Sequence, residues 1–70
     1  MMIKVTRKCI DSKRKGDLIV RLYEIVVSWS TTDKTAKKWE VELAHRKLFT
    51  NSSMPFHKEG EARIIYDSLI

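Results

Sequence analysis

The sequence predicts a small α+β fold, an antiparallel sheet with one helix in the order β-β-α-β. Three observations predict it. Two β-prone segments near the N-terminus flank a polar break that contains a glycine. A run of good helix formers follows a capping signal. A short alternating segment then closes the chain. The alternative is an all-β meander in which residues 37–44 form a strand.

The first strand is expected over Met2–Ile10. Ile3, Val5 and Cys9 alternate onto one face and Lys4, Thr6 and Lys8 onto the other, while Arg7 interrupts the apolar face. Cys9 reads as a small core residue. Ser12-Lys13-Arg14-Lys15-Gly16-Asp17 reads as a hairpin loop whose glycine takes a left-handed conformation. Leu18–Trp29 is the strongest strand, with Tyr23, Ile25, Val27 and Trp29 on one face. Twelve extended residues reach about 40 Å, whereas a domain of this size has a radius of gyration of about 11 Å. The strand must therefore bulge, bend or project. If it projects, Lys13, Arg14 and Lys15 are expected at the projecting end.

Thr31–Thr50 supports two readings. Ser30 and Asp33 fit a capping box, with Thr31 and Thr32 as other caps. Ala36, Trp39 and Leu43 form a helical stripe, Glu42 and Arg46 an i,i+4 pair, and Pro55 follows the expected stop. Against the helix, Trp39-Glu40-Val41-Glu42-Leu43 alternates strictly, and Lys34, Lys37 and Lys38 would crowd a helix N-terminus that disfavours cations. Residues 51–60 read as a loop. Residues 61–67 read as the last strand, with Ala62, Ile64 and Tyr66 on one face.

Seventy residues make one domain at most, spanning 1–70. A chain this short buries only about 60% of its unfolded surface, so a second copy could complete the core as a homodimer. No signal peptide and no apolar run long enough to span a membrane are found. With the lone Cys9, this points to a reducing, cytoplasmic setting.

All of the net charge of +5 lies in residues 1–16, where six basic residues face Asp11; the remainder balances to zero. Arg7, Lys8, Lys13, Arg14, Lys15 and Arg21 are therefore the candidate partner- or phosphate-binding residues. Lysines and arginines on a β-ribbon can neutralise phosphates, and such a ribbon fits the major groove. On the helical reading, Lys38, His45, Arg46 and Phe49 are candidate partner anchors, Phe49 alternatively packing on Phe56. Trp29, Trp39, Tyr23 and Tyr66 read as packing residues. Cys9, His45 and His57 lack metal-ligand spacing, and no catalytic motif occurs. No enzyme, metal or cofactor is expected.

Strand segment Tyr23–Trp29, the polar cap at 30–33, the Ala36-bearing segment and Ala62-Arg63-Ile64-Ile65-Tyr66 together resemble, in element order and size, the small proteins that phages and mobile elements use to disable host or defence machinery. The resemblance covers about two-thirds of the chain. It implies a non-enzymatic inhibitor that blocks a larger host protein or nucleoprotein. Direct DNA or RNA binding with low sequence specificity is the alternative, and a small ribonuclease using His45 or His57 the third.

Overall fold

The computed structural model describes residues 2–29, 34–48 and 50–70. The capping-box residues at 30–33 and Phe49 lie outside the described residues. Strands β1 (Ile3–Lys15), β2 (Leu18–Trp29), β3 (Thr35–His45) and β4 (Thr50–Phe56) are followed by helix α1 (Glu59–Ser68). The strands form one antiparallel sheet in the order β1-β2-β3-β4. The fold is thus α+β, a small antiparallel sheet with one helix, as expected. The position of the helix is corrected: it closes the chain.

β1 and β2 meet in a hairpin tighter than the sequence suggests, with Lys15 paired to Leu18 across Gly16-Asp17. Gly16 takes a φ of +60°, as the first central residue of a primed two-residue turn requires. The ladder slips between Cys9 and Asp11. This bulge leaves Ile10 as the extra residue, half-buried against the core. Cys9 falls on the other face and is exposed, not a core residue.

Residues 35–45 are a strand, not a helix. The alternation of Trp39, Val41 and Leu43 sends all three toward the core, with Val41 fully buried. Glu40 and Glu42 turn to the opposite face, where arginines await them. Helix propensity differs between residues by only tenths of a kcal/mol and yields to such packing. β4 replaces the expected loop at 51–60. Its Pro55 is tolerated because β4 is an edge strand, paired only to β3.

The segment expected as a final strand is α1. Ala62, Ile65, Tyr66 and Leu69 recur at the i, i+3, i+4, i+7 spacing and all pack on the core. Glu59 and Glu61 occupy the first turn, where the helix dipole favours them, and Arg63 pairs with Glu59 at 3.5 Å. Ile64, off the stripe, is left 68% exposed.

Val20, Leu22, Val41, Ala62 and Tyr66 form the buried core. Val20 and Leu22 lie in the half of β2 nearest the turn, so the helix covers that half alone. β4 also stops at the Trp39–Phe56 pair. Beyond it, residues 2–8, 24–29 and 34–38 form a three-stranded arm against which, among the described residues, neither a helix nor a fourth strand packs. The molecule measures 45 × 24 × 15 Å with a radius of gyration of 14.0 Å. The projecting end is therefore the one bearing Ile3 and Trp29; Lys13, Arg14 and Lys15 lie at the helix-covered end.

Two predictions follow from this core. Leu22→Ala should cost about 2–5 kcal/mol in urea unfolding, as cavities in a small core do. The phenol of Tyr66 is pushed up to about 12, first by burial and then by the Asp11 carboxylate. Its neutral form stabilises the fold fully below the unfolded value of about 10 and ceases to as pH climbs through the folded value. Tyr66→Phe should thus lose less stability than the parent between pH 10 and about 12, read from urea midpoints.

Candidate functional site

Strand register and the period-two pleat assign every sheet residue to a face. The helix-side face carries Val20 and Leu22 from β2. The six basic residues singled out in the sequence do not share a face. Arg7, Arg14 and Arg21 project from the uncovered side, and Lys8, Lys13 and Lys15 from the helix side.

Their surroundings separate them further. Arg7 lies 3.7 Å above the Tyr23 ring, donates to Glu40 Oε1 at 2.6 Å and reaches Glu42 Oε2 at 3.7 Å. Arg21 donates to Glu42 Oε1 at 2.9 Å. Each guanidinium is held above its ordinary pKa, first by its hydrogen bond to Glu40 or Glu42 respectively. Arg14 turns back onto the Gly16 carbonyl at 3.0 Å. Lys13 stands 4.6 Å from the centroid of Tyr66 and donates to the Ile70 carbonyl at 3.4 Å. Lys8 and Lys15 form no ion pair among the described residues.

The four candidate anchors are dispersed as well, because the helix expected to gather them is a strand. Lys38 lies in the arm opposite Ile25, while His45 pairs with Leu18 at the far end. They lie seven residue steps apart along β3, about 23 Å. His45 Nδ1 accepts the Leu48 N–H at 3.2 Å, and Arg46 is exposed beside it. Phe49 is outside the described residues. His45 and His57 flank opposite ends of β4, so they do not face one another as an acid–base pair.

The arm gathers other residues instead. On its uncovered face Ile3 and Val5 of β1 stand opposite Trp29 and Val27 of β2, with Ala36 opposite Val27 on β3. Ile3 is 56% and Val5 62% exposed. A pocket of about 550 Å³ opens at the tip and spans both faces, lined by Ile3 and Trp29 from the uncovered side and by Lys4, Ser28 and Thr35 from the helix side, with Met2 and Lys34. The described arm residues hold six basic side chains, Lys4, Arg7, Lys8, Lys34, Lys37 and Lys38, and one carboxylate, Glu24. No carboxylate among the described residues pairs with any of these lysines. Lys34, Lys37 and Lys38 had signalled only a poor helix start. Their place beside Lys4 and Lys8 depends on β3 being a strand in this register.

Among the described residues no three His, Cys, Asp or Glu side chains gather to hold a metal ion, and no helix is long and apolar enough to cross a membrane. Compared with known protein families, curated proteins and solved structures, the chain matches none.

Glu40→Gln should change stability little, because the Arg7–Glu40 pair is solvent-accessible and Arg7 keeps Tyr23 and Glu42 as neighbours. Urea midpoints at low and high salt measure it, with the difference shrinking as salt rises. A salt-independent loss of several kcal/mol would instead make this pair an organiser of the sheet.

Proposed function

We propose that the chain is a non-enzymatic binding protein that docks on and blocks a larger host protein or nucleoprotein, and that the projecting arm is the docking element. The observation that carries this reading is the apolar strip of Ile3, Val5, Val27 and Trp29 on a face that no other element covers among the described residues. Burying a Val or Ile side chain is worth about 1.5–3 kcal/mol. More than half of Ile3 and Val5 remains exposed in the isolated chain. Trp29 at the edge of the tip pocket supplies the kind of aromatic anchor on which interface energy concentrates. Arg7 and Lys38 border the strip, and the surplus positive charge of the arm would speed encounter with an acidic surface.

On this reading the arm acts by occupancy. It enters a groove of the target, and the helix-covered end supplies the rigid body that fills the entrance. Work in the cytoplasm belongs to the same proposal, since an exposed, unpaired Cys9 suits a reducing compartment.

The test compares the tagged parent, Val5→Asp, and Lys13→Ala/Lys15→Ala as captures from lysate, with circular dichroism to confirm folding. One dominant protein should accompany the parent and the lysine variant. Val5→Asp should weaken that capture at least about tenfold, the equivalent of 1.4 kcal/mol. Capture indifferent to Val5 overturns the docking face. A parent that sediments as a dimer, with Val5→Asp a monomer, assigns the strip to a second copy instead.

A further inference from the structure

The helix-side face of the arm has a different chemistry. The register lines up three successive cross-strand rows on it: Lys4, Ser28 and Thr35; then Thr6, Val26 and Lys37; then Lys8, Glu24 and Trp39. Each row carries one lysine, and the lysine alternates between β1 and β3. Rows two residues apart are about 6.7 Å apart, and the two outer strands about 9.6 Å. The lysines thus form a zigzag of near-regular spacing, with Lys34 next to the first row. Lys4, Lys8, Lys34 and Lys37 are all exposed and pair with no carboxylate among the described residues. Glu24 is the single acid in these rows. Thr6 and Thr35 place hydroxyl groups beside the ammonium groups, while the Ser28 hydroxyl donates to the Lys4 carbonyl at 3.5 Å.

We infer that this face binds the phosphodiester backbone of a nucleic acid, with Lys4, Lys37 and Lys8 each meeting a phosphate in turn. A regular series of cations with interleaved hydroxyls matches a polymer with one negative charge per repeat. Lysine is depleted from protein–protein interfaces and serves as a point-charge partner of phosphate. The arm's one arginine, Arg7, lies on the other face and is held by Glu40. The rows contain no Arg, Asn or Gln, the planar groups that read G and A most specifically, so contacts to the backbone dominate and sequence preference is weak. This surface lies on the opposite face from the apolar strip and meets it only at the tip pocket, where Lys4, Ser28 and Thr35 line the same opening as Ile3 and Trp29.

Fluorescence anisotropy with labelled oligonucleotides of about 20 nucleotides, single-stranded and duplex, tests it between about 50 and 200 mM salt. Three phosphate contacts predict slopes of log affinity against log salt of about −2 for single strands and −2.7 for duplex, about 20- to 40-fold weaker binding across that range. Lys37→Ala should lower the slope by about 0.7 to 0.9. Lys4→Glu/Lys8→Glu/Lys37→Glu should abolish binding. Val5→Asp and Lys13→Ala/Lys15→Ala should leave it unchanged, which separates this surface from the docking strip and from the turn. Whichever form binds more tightly names the physiological strand type. The inference fails if neither oligonucleotide binds at low salt, or if Lys37→Ala leaves the slope unmoved. It fails too if polyglutamate of equal charge competes as well as the oligonucleotide, which would make the face a reader of acidic protein. The single alanine variant keeps the test valid should the triple variant fail to fold.

Discussion

A length mismatch governs this molecule. A helix of ten residues spans about 15 Å, whereas a strand of twelve spans about 40 Å. One such helix cannot cover one face of such a sheet. It settles where Val20, Leu22 and Val41 present the best apolar surface, and the other half of the sheet has no second layer among the described residues. The elongated shape, the exposure of Ile3 and Val5, and the open lysine rows all descend from that. β4 extends the sheet only where the helix already lies, so it reinforces the covered half and leaves the arm three strands wide.

Charge is divided along the same line. Glu40 and Glu42 sit on the uncovered face of β3 and hold Arg7 and Arg21, while Asp11 and Glu59 hold Arg63 and Asp17 holds Lys47. Most of the acids are thereby spent at or near the helix-covered end. The planar guanidinium suits these pairs and the stacking of Arg7 on Tyr23, for which a lysine ammonium is a poorer match. Five of the lysines that pair with no carboxylate among the described residues, Lys4, Lys8, Lys34, Lys37 and Lys38, lie on the arm, while Arg14, Lys15 and Arg46 stand without such a pair at the helix-covered end. The concentration of charge at the start of the sequence is real. Its spatial centre differs, because β3 adds Lys34, Lys37 and Lys38 to the same end.

The parts of the fold legible in the sequence were those with one dominant period. β1 and β2 alternate, and the faces assigned to Ile3, Val5, Tyr23, Ile25, Val27 and Trp29 hold. The ambiguous parts satisfy two periods at once. Trp39–Leu43 alternates, yet Ala36, Trp39 and Leu43 also form a helical stripe. Ala62, Ile64 and Tyr66 alternate, yet Ala62, Ile65, Tyr66 and Leu69 form a better one. Which period wins is decided by partners: β2 requires a strand on its second edge, and the sheet requires a lid. β4 was invisible because Asn51, Ser52, Ser53 and Pro55 are poor strand formers, held in place by pairing with β3. The site was obscured for the same reason. Its residues come from three strands, and only the register makes them neighbours.

The arm also poses an edge problem that bears on how it can be used. β1 is a thirteen-residue strand with a free edge, the kind of surface that recruits further strands from other copies. Lys4, Arg7 and Lys8 stand along that edge, and antiparallel pairing of two β1 strands centred on Thr6 would set Lys4 against Lys8 of the other copy. Like charges directly opposite destabilise such a pair. The lysines that are proposed to meet phosphate therefore also oppose self-association through that register. A polyanion on the helix-side face would neutralise them and leave the apolar strip on the reverse side free. The two proposed surfaces lie back to back on a ribbon one sheet thick, a geometry suited to a cleft with protein on one wall and a nucleic-acid strand on the other. A nucleoprotein would offer both walls at once, which is why the two proposals, taken together, favour that partner class.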